Sequence, residues 1–82
     1  MRLPRDLSGR ELARLLKRYG YETTRQVGSH IRLQSNWRDH SHSITIPDHD
    51  SLRVGTLNGI LSDVADYVGV DRIQFLRELF EK

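Results

Sequence analysis

The segment whose residues are best suited to catalysis is Gly28-Ser29-His30, which is followed two positions later by Arg32. A glycine beside a polar residue at a strand entrance lets the main chain approach a phosphate closely and leaves the imidazole exposed. Because an imidazole titrates near neutral pH, it can take the proton of an RNA 2′-hydroxyl or protonate a leaving 5′-oxygen. Arg32, on the same face of an extended strand, can neutralise charge that develops on the phosphate. The same spacing also fits a plain hairpin turn followed by a solvent-facing histidine.

The remaining histidines raise a second possibility, a metal site. They lie near three aspartates, in the order Asp39, His40, His42, Asp48, His49 and Asp50. An H-x-H pair on a strand places both rings on one face, and the carboxylates add further ligands. Nothing in the sequence holds these groups at ligand distance, so solvated loop residues are the favoured interpretation. We predict no metal and no cofactor.

Composition excludes several classes of protein. The chain of 82 residues has no cysteine, so a disulfide framework, a thiolate nucleophile and a Cys-ligated zinc site are ruled out. It contains no apolar run close to the roughly 18 residues of a membrane span, and its start lacks a signal-peptide pattern. No glycine-rich phosphate loop, G-x-S-x-G or H-E-x-x-H motif is present. We expect one domain over residues 1–82 in the cytoplasm, without membrane attachment.

Charge is unevenly distributed along the chain. Residues 1–38 carry a net charge of +6 and residues 39–82 a net charge of −4, which together give the overall +2. Eleven of the thirteen basic residues are arginines, whose planar guanidinium is suited to phosphate. This imbalance is typical of a protein with a polyanionic partner such as nucleic acid. Solvated surfaces with an arginine bias explain the charge equally well.

The elements that must position these residues begin with a helix over Gly9 to Tyr19. Ser8 and Glu11 form an S-x-x-E capping box, and Gly20 follows the predicted helix end. An apolar stripe at helical spacing then faces the core, formed by Leu12, Leu15, Leu16 and Tyr19. The basic residues of this helix lie mostly off the stripe, so its solvent-exposed face is basic.

Three strands and two helices are predicted to follow. The strands run over residues 21–27, 30–34 and 42–46, with Pro47 ending the third. The polar segment 35–41 connects the last two strands, and its Trp37 can stack on a base or pack over the sheet edge, with packing favoured. Thr56 is expected to cap a second helix that ends at Gly69. Asp71 is expected to start a final helix with the stripe Ile73, Leu76, Leu79 and Phe80.

This order predicts an α+β fold in which a three-stranded antiparallel sheet carries helices on one face and leaves the other open to water. His30 and Arg32 are expected to project from that open face.

Several segments, taken together, resemble the HicA (YcfA-like) family, the toxin component of type II toxin–antitoxin systems. The resemblance rests on LPRDLSGRELARLLKRYGYETTRQVGSHIRL and on ITIPDHDSLRVGTLNGIL. Within them, a G-x-E-L helix, G-Y-E, R-Q-x-G-S-H, T-x-P-x-H and G-T-L-x-x-I-L occur in the family's order. Each piece alone is common, whereas the ordered set is hard to obtain by chance.

The resemblance implies an α-β-β-β-α core like that of a double-stranded-RNA-binding domain, to which the helix predicted from Asp71 onward is added. It further implies an endoribonuclease that cleaves mRNA and is neutralised by a HicB-like antitoxin. The family's active-site histidine falls on His30, within an undisturbed Gly28-Ser29-His30 motif. From the chemistry of the residues, Arg32, together with Arg25 or Ser29, is expected to bind the substrate and stabilise the transition state.

Two alternative functions, from other classes, would use the same surface. The first is a non-catalytic RNA-binding module on the open sheet face, whose affinity depends on salt and survives loss of His30. The second is a protein-interaction module whose exposed face meets only an antitoxin.

Overall fold

The computed structural model of the chain describes residues 3–81. Helix α1 spans Gly9–Leu16 and continues into a short 3₁₀ helix over Lys17–Tyr19. The strands are β1 (Glu22–Val27), β2 (His30–Ser35) and β3 (His42–Pro47), followed by helices α2 (Val54–Val68) and α3 (Arg72–Phe80). This order confirms the predicted α+β fold, with the element sequence of a double-stranded-RNA-binding domain and an added C-terminal helix.

The sheet is antiparallel with the strand order β1-β2-β3. Alternate residues of β2 and β3 are buried against the helices, and those between them are exposed or half-buried. The apolar members of the buried set are Ile31, Leu33, Ile44 and Ile46. The opposite face of the sheet is therefore open, as the alternation in the sequence predicts.

Helix α1 begins and ends where its local signals predict. The Glu11 N–H donates to the Ser8 hydroxyl at 3.0 Å and the Ser8 N–H donates to the Glu11 carboxylate at 3.0 Å, which completes the capping box. Gly20 closes the following 3₁₀ turn with φ +79°, a left-handed conformation that costs glycine little. The leucines Leu12 and Leu16 are fully buried beneath this helix.

Helix α2 starts earlier than predicted. Thr56 is not its cap, because the helix begins at Val54 with Arg53 as an extended N-cap that makes no side-chain cap bond. The start is fixed instead by the preceding buried residue, Leu52, whose N–H donates to the Leu7 carbonyl at 2.8 Å. Tertiary packing thus replaces the local cap that Thr56 would provide.

Helix α3 starts at the predicted cap but buries a different face. The Asp71 carboxylate accepts hydrogen bonds from the N–H groups of the first turn. The predicted stripe is wrong at Ile73, which is 60% exposed, whereas Phe75 is fully buried. Phe75 packs against the Tyr19 ring with 5.3 Å between centroids.

The Tyr19 hydroxyl also links α3 to the 3₁₀ segment. It donates a hydrogen bond to the Glu78 carboxylate. Burial, reinforced by this bond, raises the pKa of Tyr19 to about 12. Tyr19 also contacts the half-exposed Trp37 ring edge-on, with 5.4 Å between the centroids. One part of Trp37 therefore packs on Tyr19, while the rest stays open to solvent. Within residues 3–81, no helix is long and apolar enough to cross a membrane.

Candidate active site

The turn between β1 and β2 sets the position of His30. Gly28 has φ +57°, and no non-glycine residue among those described has a positive φ. A positive φ at the first of two turn positions is the pattern of a type II′ hairpin, whose twist suits the flanking strands. This turn makes His30 the first residue of β2, opposite Val27 of β1 and Pro47 of β3.

His30 and Arg32 are exposed on the open face of the sheet, while Ile31 between them is buried on the helix side. The strand alternation therefore separates the candidate chemical groups from the core. The open face is exposed at the end of the sheet where the Gly28-Ser29 turn lies, so an extended ligand can reach the imidazole from solvent.

A β-bulge brings Arg25 to the same face. The register shifts between Thr23 and Arg25, and beyond this shift Arg25 pairs with Arg32. Residues opposite each other on neighbouring strands share a face, so the Arg25 and Arg32 side chains lie on the same face of the sheet as His30. Like charges in that arrangement are unfavourable unless an anion lies between them. Arg25, Arg32 and His30 thus form a basic site on one surface.

Asp48 holds the turn, β1 and α1 together, a role that sequence reasoning missed. Its N–H donates to the Ser29 carbonyl at 2.7 Å. Its carboxylate accepts from Arg10 at 3.1 and 3.2 Å and from Gln26 at 2.9 Å. The bond from Arg10, followed by that from Gln26, lowers the pKa of the Asp48 carboxyl. Continued strand alternation past Pro47 is the signal that places this carboxylate on the helix side.

Gly9 allows α1 to come close enough to β3 for this network to form. A Cβ atom at Gly9 would lie 2.0 Å from the Pro47 carbonyl oxygen, a distance that no side chain tolerates. The Gly9 N–H also donates to the His49 carbonyl at 3.0 Å. The first turn of α1, the end of β3 and the turn before His30 are consequently one connected unit.

A basic groove of about 240 Å³ lies between α1 and β1. Its rim carries three basic side chains of the helical segment, Arg10, Arg14 and Lys17, which are all exposed. The β1 residue Gln26 and the buried β2 residue Ile31 line its floor. The groove is therefore on the helix side of the sheet, whereas His30 is on the open face, and the edge strand β1 separates them.

Among the other histidines, His42 has a different environment from the one expected, whereas His40 and His49 are exposed as expected. His42 is not a solvated loop residue: its Nδ1 lies 2.6 Å from the Tyr21 hydroxyl, and its ring stacks on Tyr67 at 4.8 Å. His40 is exposed and contacts the Tyr67 ring edge-on at 5.2 Å. Both belong to the end of the sheet away from His30, and His49 lies beyond the other end of β3. Among residues 3–81, no three His, Cys, Asp or Glu side chains gather in a way that could hold a metal ion.

The chain matches a known protein family. The family model described as the HicA toxin of bacterial toxin–antitoxin systems matches residues 9–65. That segment extends from α1 into α2 and includes the Gly28-Ser29-His30 turn and both arginines of the open face. No curated protein and no solved structure matches the chain at a significant level. Because the family model covers more than half of the 82 residues, the chain belongs to the HicA toxin family of bacterial toxin–antitoxin systems.

Proposed function

We propose that this chain is an endoribonuclease that cleaves mRNA with His30 as a catalytic proton-transfer group and without a metal ion. The observation that carries the proposal is the exposed His30 imidazole beside the paired Arg25 and Arg32 side chains on an open sheet face. Membership of a toxin family supplies a biological reason for such an activity, because loss of mRNA arrests growth.

In this proposal His30 accepts the proton of the RNA 2′-hydroxyl. The resulting oxygen nucleophile attacks the adjacent phosphate, and the bond to the 5′-oxygen of the next nucleotide breaks. Arg32 and Arg25 stabilise the negative charge that builds up on the phosphate oxygens, since fixed cations act on charge as it develops. One well-placed acid–base group contributes roughly 10²- to 10⁴-fold to such a rate. A slow enzyme of this kind can still deplete a transcript pool.

The Gly28-Ser29 turn is proposed to admit the phosphate backbone. The space around Gly28 is open, since a Cβ placed there would meet nothing within 4 Å. The Ser29 carbonyl is already bonded to the Asp48 N–H, which fixes the turn while the exposed Ser29 side chain stays accessible. A phosphate that contacts the turn would then lie next to the His30 ring.

The RNA strand is proposed to cross the β1 edge, from the basic groove to the open face. Arg14 and Lys17 on the groove rim are exposed and would hold phosphates away from the cleavage point. Phosphate contacts of this kind release counterions, so RNA affinity should fall steeply as salt is added. This path joins the basic helix and the open face in a single binding surface.

The antitoxin partner that the family implies is proposed to be a HicB-like protein that covers the His30 surface. Covering the open face would block access to His30, Arg25 and Arg32 at once. Inhibition of cleavage by the antitoxin, with competition between antitoxin and RNA for the free protein, is the expected behaviour.

The test is cleavage of a labelled single-stranded RNA by purified wild type, His30→Ala and His40→Ala. His40 provides a matched control, because it is an exposed histidine at the far end of the sheet. We expect wild type and His40→Ala to cleave equally and His30→Ala to lose at least ~10²-fold in rate. A 2′-deoxy nucleotide at the cleavage site should stop the reaction, and cleavage that persists there would contradict the mechanism.

A non-catalytic RNA-binding module is the second candidate. The separation of the basic groove from His30 favours it, because Arg14 and Lys17 can bind phosphate without any help from the open face. Salt-dependent RNA affinity that His30→Ala leaves unchanged, with no cleavage by wild type, would establish this alternative.

A further inference from the structure

We infer that His49 is the second proton-transfer residue of the active site, acting as general acid while His30 acts as general base. The inference rests on the proposed ribonuclease function and deepens it. It identifies the group that protonates the leaving 5′-oxygen. In an in-line displacement the attacking 2′-oxygen and the leaving 5′-oxygen lie on opposite sides of phosphorus, so one imidazole cannot serve both in a single step.

The position of His49 follows from the strand ladder. Pro47 pairs with His30, and the ladder continues one residue further through the bond from the Asp48 N–H to the Ser29 carbonyl. Side chains alternate between faces along extended chain. The His49 side chain accordingly belongs to the face of His30, beside Gly28 in the turn.

Contacts of the neighbouring residue support this alternation. The Asp48 carboxylate bonds to Arg10 of α1 and to Gln26, whose strand partner is the buried Ile31, so Asp48 points to the helix side. The next residue, His49, should point the opposite way, and its side chain is exposed. Its main chain is fixed by the bond from the Gly9 N–H to the His49 carbonyl. Two exposed imidazoles thus flank one turn.

Charge assigns the two roles. His30 neighbours Arg32 on its own strand and Arg25 across the sheet, cations that attract the phosphate oxygens. The three residues on either side of His49 include no basic residue, so its ring is assigned to the leaving oxygen.

The remaining histidines do not suit the role. His42 is engaged by the Tyr21 hydroxyl and by stacking on Tyr67. His40 belongs to the end of the sheet marked by Ser35, five strand positions from His30, which corresponds to about 17 Å at ~3.3 Å per residue.

The proposed reaction balances in a single displacement. The 2′-hydroxyl proton passes to His30, and the 2′-oxygen forms a bond to phosphorus. The bond from phosphorus to the 5′-oxygen breaks, and this oxygen takes a proton from His49. The products are a 2′,3′-cyclic phosphate and a 5′-hydroxyl. The two histidines end with exchanged protonation states, which solvent restores.

The experiment compares an ordinary RNA with the same RNA carrying sulfur in place of the 5′-bridging oxygen at the cleavage site. A thiolate leaves without protonation, so this substrate bypasses the general acid. We expect His49→Ala to lose at least ~10²-fold on ordinary RNA and to regain nearly wild-type rate on the sulfur substrate. His30→Ala should remain slow on both, and His40→Ala should match wild type on both. His49→Gln, with folding checked by circular dichroism, should repeat the His49→Ala pattern.

Two results would overturn the inference while leaving the proposed function intact. One is cleavage of ordinary RNA by His49→Ala and His49→Gln at the wild-type rate. The other is a loss of rate that the sulfur substrate fails to restore, which would assign His49 to binding or structure. Failure of wild type to cleave either RNA would instead contradict the ribonuclease proposal itself.

Discussion

Gly28 fixes the direction in which β2 begins, because of the two turn residues it alone has a positive φ. An alanine there would meet no neighbouring atom within 4 Å, so its whole cost lies in the backbone conformation. The stability of this turn and the placement of His30 therefore depend on the same residue.

Gly28→Ala should lower the free energy of unfolding by about 1 kcal/mol, the cost of a left-handed conformation for a residue with a Cβ. Gly55→Ala is the control, because Gly55 also has open space around it but belongs to the first turn of α2. This control should be neutral or stabilising by up to ~1 kcal/mol. Urea unfolding of both variants measures the difference. Equal stability of Gly28→Ala and wild type would show that the turn does not constrain the backbone.

The direction of His30 and Arg32 could be predicted from the sequence, because strand alternation is a local property. The environment of His42 could not, since its partner Tyr67 lies 25 positions away and joins it only when α2 packs on β3. Asp48 shows the same limit: its contacts with Arg10 and Gln26 connect segments that no local pattern relates.

Among the elements, α1 was predictable and the packed face of α3 was not. The capping box of α1 and the glycine after it are local signals with local outcomes. In α3, Ile73 and Phe75 both lie within one helical turn of the other apolar residues. Helical periodicity alone therefore does not predict which of the two side chains is buried. The approach of α3 to Tyr19 makes the choice and buries Phe75.

Phe75→Ala should cost about 3–5 kcal/mol, because it removes a fully buried ring from the core. Ile73→Ala is the matched control on the same helix, and since its side chain is 60% exposed the change should stay within ~0.5 kcal/mol. Thermal unfolding of the two variants distinguishes the two faces. A larger loss for Ile73→Ala would mean that α3 packs through the face that the sequence pattern favours.

At the scale of the whole molecule, within residues 3–81, four carboxyl groups have a pKa lowered by the hydrogen bonds they accept. They are Glu11 bonded to Ser8, Asp39 to His40, Asp48 to Arg10, and Glu78 to Tyr19. Each of these carboxyl groups has a lower pKa in the folded protein than in the unfolded chain. At pH values between the two, the unfolded chain therefore binds more protons. The stabilisation is therefore complete above the ordinary values of 3.8 and 4.5 and is lost as the pH falls through the lower folded values.

The melting temperature should accordingly be steady near neutral pH and fall when the pH drops below about 4. In Asp48→Asn the melting temperature should fall less at low pH. The variant lacks the Asp48 carboxylate, so it cannot lose the stabilisation that this group loses on protonation. Asp66→Asn serves as control, since Asp66 is exposed on α2 and its side chain makes no hydrogen bond within residues 3–81. An Asp48→Asn melting profile parallel to that of wild type down to pH 2.5 would contradict the assignment.

The charge asymmetry seen in the sequence becomes a spatial one in the fold. The basic half supplies α1 and the two strands that carry the turn, whereas the acidic half supplies α2 and α3. The groove rim and the open face near His30 are consequently both basic and meet at the β1 edge. A polyanion would be attracted to this side of the molecule.

The most direct test of the central claim is growth after tightly controlled expression of wild type, His30→Ala and His40→Ala, with transcript integrity followed on a gel. The account predicts growth arrest with loss of mRNA for wild type and His40→Ala, and normal growth with intact mRNA for His30→Ala at equal protein level. Arrest and mRNA loss that are as strong with His30→Ala as with wild type would contradict it.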